Sequence, residues 1–223
     1  MTQSSRAAAP VGASKVRKVA MQMVVGAAVG ASVTFGLLTF VGKSRFDLDD
    51  PSRVIALATG LVFALTGLVL GLGVLAPRSG AHLLNVEDAE ELREQRGPLW
   101  RAALVMVLLG ATVLALALGR IDGSAGLFSS ATAVVVAATC FTGVVIVSIA
   151  GRNDHDELMH SVSRESMTVA MYVLTALIGV WAAAAHLGYA DWITPLDMIS
   201  ALLIVQLGSI IIVSAKRGLL RPR

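Results

Sequence analysis

The sequence predicts an all-α integral membrane protein with six transmembrane helices, arranged as three hairpins with both termini cytoplasmic. Three observations carry this reading. The chain is 56% hydrophobic and 15% charged, with a mean hydropathy of +0.76; soluble domains carry about a quarter charged residues. Six stretches, 19–42, 54–77, 102–119, 123–151, 166–190 and 198–215, contain no Asp, Glu, Lys or Arg, and a helix needs about 20 apolar residues to cross the hydrocarbon core. Fourteen of the 18 Lys and Arg fall in the N-terminal tail, the two long connectors and the C-terminal tail, against Lys43, Arg45, Arg53 and Arg120 on the other side. Positive charge collects on the cytoplasmic face. Unbroken runs of Ala, Leu and Val also differ from the alternating ten-residue segments of an outer-membrane barrel.

The elements follow in order. Residues 1–18 are small, polar and basic, a composition expected to be disordered. The first span, 19–42, is longer than the 7–15 residues of a signal-peptide core. A retained helix is expected, with cleavage inside GAAVGAS as the alternative. Asp50–Pro51 places a capping acid before a proline at the first helical position, opening the helix whose span is about 54–77. The third and fourth spans, about 99–120 and 125–151, flank a tight-turn pair, Asp122–Gly123. The fifth is about 166–188. The sixth, about 195–215, opens on Thr194–Pro195 with Asp197 near the positive end of the helix dipole. Cytoplasmic connectors 78–98 and 152–165 join the hairpins into one membrane domain, 19–216, followed by a basic tail, 217–223. Trp100 marks the inner interface, Tyr189 and Trp192 the outer one.

Several function classes lose ground. One cysteine, Cys140, rules out an intrachain disulfide or a cysteine zinc site, and its apolar run makes it a packed residue. No basic patch with interleaved aromatics points to nucleic acid. No Asp, Glu, Lys or Arg lies mid-span, which argues against a proton-coupled pump; His186 is interfacial. Paired membrane histidines for haem are missing. Glu90–Glu91 is followed by Gln95 where a prenyl-endopeptidase motif requires arginine. No cofactor is expected.

The connectors hold the chemistry. Offset by 66 residues, Asp88 aligns with Asp154, Glu90 with Asp156, Glu91 with Glu157 and Leu92 with Leu158, a weak parallel repeat of an acidic connector plus hairpin. One reading makes Asp154-x-x-Glu157 a capping box opening a helix that runs from Asp154 to about Leu187. The other makes Asp156, Glu157 and His160 a metal site, since three- and four-residue spacing puts them on one helix face. Glu90, Glu91 and Glu94 of the first connector would join that cation site; alternatively, together with Asp154, they form an acidic docking surface.

Within the membrane, Gly26 and Gly30 form one G-x-x-x-G and Gly67 and Gly71 another, with Gly60 and Ala64 extending the second stripe. Such faces let backbones approach closely, so helices 1 and 2 are expected to pack together, a homodimer face being the rival. Thr139, Cys140, Thr142 and Gln206 are the deepest polar residues. Gln206 reads as an interhelical hydrogen bond or, alternatively, a substrate contact.

The chain resembles the small multi-spanning inner-membrane proteins of bacteria, a resemblance that transfers no site residue. The function expected is therefore non-enzymatic: a multi-pass protein of the bacterial inner membrane, N-in and C-in, acting as a scaffold, assembly or regulatory subunit through a protein partner or a homo-oligomer. A small oligomeric transporter or channel lined by Thr, Ser and Gln206 is the alternative. A metal-dependent membrane enzyme using the connector carboxylates and His160 comes third.

Overall fold

The structure, a computed structural model, describes residues 36, 39, 50–76, 90, 93, 95–119, 126–151 and 157–219. Five long helices account for most of them: α1 (Pro51–Leu75), α2 (Arg96–Leu118), α3 (Ser130–Ala150), α4 (Glu157–His186) and α5 (Pro195–Lys216). All five are long and apolar enough to cross a membrane, and the described residues contain no β-strand, only an isolated bridge between Gly119 and Phe128. Of the first expected span, Gly36 and Thr39 are described, both helical and exposed; Gly26 and Gly30 lie outside the described residues.

Local chemistry sets most of the helix ends. Asp50 caps α1 by accepting the Ser52 backbone N–H at 3.0 Å, with Pro51 at the first position. Thr194 caps α5 by accepting the Asp197 N–H at 3.2 Å, with Pro195 next. Pro98 sits in the first turn of α2, where its missing N–H costs no ladder bond. α3 begins at Ser130, later than the charge pattern places it. Leu127 N–H donates to the Leu118 carbonyl at 3.0 Å, holding the chain extended until Ser129 caps the helix through Thr132 N–H at 3.2 Å.

α4 and α5 end alike. Gly188 and Gly218 adopt positive φ, 78° and 75°. Around them Tyr189 N–H reaches the Ala184 carbonyl, Gly188 N–H that of Ala185, Leu219 N–H that of Ser214 and Gly218 N–H that of Ala215. This is the Schellman pattern, which an L side chain at the left-handed position would strain.

The helices pack in the neighbour order α3–α2–α1–α5–α4, with a smaller contact between α2 and α5. The core sits where the middle three meet: Ala56, Leu57 and Phe63 of α1, Val113 and Ala117 of α2, and Leu203 of α5. Consecutive α3 and α4 stand at opposite edges of this order, and their outward faces remain apolar and exposed, with Val135, Ile146, Tyr172 and Val180 prominent. Apolar faces without protein cover suit a bilayer rather than water.

Candidate functional site

The end where α2 and α4 begin carries most of the described charge. α4 starts at Glu157, whose carboxylate meets the positive end of the helix dipole. His160, Ser161 and Arg164 follow at three- and four-residue steps, the spacing that shares a helix face. Across from them α5 ends in Lys216, and Arg217 caps it. The two helices are tied there: Glu165 Oε2 accepts from Arg217 Nε at 3.0 Å and from Nη2 at 2.7 Å. Beside this pair lies an open groove of about 770 Å³, lined among others by Glu157, His160, Arg164, Glu165, Met167 and Arg217.

The structure thus brings two of the three candidate metal ligands, Glu157 and His160, to one groove; Asp156 lies outside the described residues. Among the described residues no three His, Cys, Asp or Glu side chains gather closely enough to hold a metal ion. The groove mixes carboxylates with guanidinium groups, and a guanidinium repels a divalent cation. Of the connector acids, Glu90 is helical and exposed, whereas Asp88, Glu91, Glu94 and Asp154 lie outside the described residues.

Inside the span the polar side chains turn inward on their own helices. Thr59, Thr66, Thr112, Thr139, Thr142 and Thr175 each donate the hydroxyl hydrogen to the carbonyl four residues back, at 2.6–2.8 Å. Gln206 is half-buried in α5, and its side chain makes no hydrogen bond to a described residue. Cys140 is half-buried in α3.

The glycine face of α1 is filled by α2. A Cβ on Gly67 would stand 2.6 Å from the Ala103 carbonyl oxygen and 2.8 Å from Val107 N. One on Gly60 would meet Leu114 Cγ at 2.8 Å, and Gly71 leaves ordinary room beside Trp100 and Ala103 at 3.6 and 3.7 Å. The complementary residue is Gly110 of α2, whose Cβ would lie 2.6 Å from both Ala64 N and the Gly60 carbonyl oxygen. The sequence reading passed over Gly110, because an isolated glycine signals nothing until its partner face is known.

A second polar cluster, also passed over, joins α1 to α5 at the opposite end. Asp197 Oδ2 accepts the Ser52 hydroxyl at 2.8 Å and the Thr194 hydroxyl at 2.8 Å. Arg53 is buried, its side chain 3% exposed, with Nε 3.6 Å from Asp50 Oδ2. The sequence counts Arg53 among the outer-side charges, in the first turn of the helix that Asp50–Pro51 opens; its burial was not expected. Asp197 Oδ1 and Ser200 Oγ are buried without a hydrogen-bond partner among the described residues. A cavity of about 360 Å³ between α1, α4 and α5 reaches this cluster, with Trp181, Ile178 and Ile204 in its wall.

No family model, curated protein or solved structure matches the chain.

Proposed function

We propose that the chain is a non-enzymatic, multi-pass protein of the bacterial inner membrane that acts through a protein partner, with the acidic connectors as its docking surface. In this reading six spans run N-in and C-in, and the end bearing Glu90, Glu157, Arg164 and Arg217 faces the cytoplasm. The supporting observation is the self-bonding of the threonines. A transport path that relied on hydroxyl donors from Thr139 and Thr142 would find those hydrogens committed to their own backbone, leaving only the oxygen lone pairs. Chemistry that could reach outside the chain is concentrated at the connector end, where Glu90 and Glu157 are exposed. Exposed charge of this kind governs partner choice and encounter rate more than raw affinity.

The test is site-specific photo-crosslinking in native membranes from positions 90 and 157. A discrete protein adduct is expected. It should disappear when Glu90, Glu91, Asp156 and Glu157 are together reversed to Lys, and persist in Gln206→Leu. No adduct, or one indifferent to the reversal, overturns the reading. Solute flux in proteoliposomes that Gln206→Leu abolishes would put the transporter in its place.

A further inference from the structure

We infer that the groove between α4 and the end of α5 binds a phospholipid headgroup carrying a primary ammonium beside its phosphate, as in phosphatidylethanolamine. The groove lies at headgroup depth. α5 has 22 residues, about 33 Å at 1.5 Å each, close to the hydrocarbon thickness of about 30 Å. The Glu165–Arg217 pair fixes which level of α4 stands beside the end of α5. The part of α4 from Glu157 to Arg164 therefore projects about 12 Å past that boundary, at the depth of the headgroups.

Its charges are of both signs. The groove offers two guanidinium groups, Arg164 and Arg217, and two carboxylates, Glu157 and Glu165. Guanidinium donors suit a phosphate and carboxylates suit an ammonium. A purely anionic headgroup would leave both carboxylates opposed to it, and a quaternary ammonium has no N–H to donate. Glu165 spends one oxygen, Oε2, on Arg217; this holds the guanidinium in place while Oε1 and Nη1 make no hydrogen bond to a described residue. In the wall below, Met167 and Met171, one turn apart on α4, are 63% and 67% exposed, and flexible thioether side chains accommodate an acyl chain.

The experiment is native mass spectrometry of the full chain in detergent, titrated with phosphatidylethanolamine, phosphatidylcholine and phosphatidylglycerol of identical acyl chains. Phosphatidylethanolamine is expected to bind about tenfold more tightly than either competitor, since one charge-assisted hydrogen bond corresponds to roughly that factor. Arg164→Gln and Glu157→Gln, both at exposed positions, should each reduce that preference severalfold, and Arg93→Gln should not. Equal binding of the three lipids, preference for phosphatidylglycerol, or indifference to Arg164→Gln and Glu157→Gln overturns the inference.

Discussion

The α1–α2 pair and the α4–α5 pair are both antiparallel pairs of apolar helices, yet they are joined by different means. α1 and α2 meet backbone to backbone through Gly60, Gly67 and Gly110, which leave no room for a methyl group. α4 and α5 meet through a narrower face, where Val162, Ser166 and Ala170 recur every fourth residue and are the buried positions of α4, and through the Glu165–Arg217 tie at one end. In the apolar stretch of α1, 44% of residues are buried, against 6% in α4. Lipid tails are as apolar as leucine, so hydrophobicity does not drive helix association within a bilayer; close van der Waals packing and interhelical polar contacts do. The first pair relies on packing, the second more on its polar end.

Substitutions that damage one pair and spare the other sharpen this contrast. The largest effect is expected for Gly110→Ala, and nearly as much for Gly67→Ala. Each methyl group would overlap backbone atoms of the facing helix, and forced overpacking costs about 1–3 kcal/mol. The detergent melting temperature should fall in both and stay unchanged in Gly71→Ala, where the new Cβ finds ordinary contact distances. A melt in which all three behave alike would mean that α1 and α2 are less closely apposed.

Asp197→Ala comes next. It removes the acceptor of Ser52 and Thr194 at the start of α5, a loss of about 1–2 kcal/mol. Asp197→Asn, which keeps an acceptor oxygen, should recover part of the lost melting temperature. Arg217→Gln is expected to cost less, at most about 1 kcal/mol for a partly exposed pair. Its effect should shrink in high salt, and a cost that salt leaves untouched would argue against an ion-pair origin. Gly179→Ala should cause no loss and can gain up to about 1 kcal/mol from helix propensity, because nothing described lies within 4 Å of its Cβ position. A fall in melting temperature there would reveal cover on α4 from outside the described residues.

How much was legible in advance depends on the range of the interaction. The starts of α1 and α5 could be read because Asp50–Pro51 and Thr194–Pro195 act over three residues. The start of α3 was misplaced because Leu127 and Phe128 are as apolar as the helix they precede, and nothing in composition separates an extended apolar residue from a helical one. The stripe of Gly60, Ala64, Gly67 and Gly71 announced a close approach. Which helix would supply the other face was beyond a single sequence, since any helix with a matching glycine serves; the expected partner, 19–42, lies outside the described residues. Ser52 and Asp197 are 145 residues apart, so their hydrogen bond left no local trace, and the burial of Arg53 was not legible because it comes from tertiary packing. At the candidate site the acids and His160 stood out by contrast with an apolar chain. Arg217 closing the groove from another helix did not.

The neighbour order α3–α2–α1–α5–α4 has a consequence for biosynthesis. Leu203 belongs to the same buried cluster as Ala56, Leu57, Phe63, Val113 and Ala117, yet it enters the membrane long after them. A chain made from its N-terminus can zip α1 and α2 together early, but among the described helices the flank of α1 that receives α5 gains its partner only when α5 is inserted. A nascent chain stalled anywhere before residue 195 would present that flank, Ser52, Thr59 and Phe63 included, to lipid, to a chaperone or to quality-control proteases.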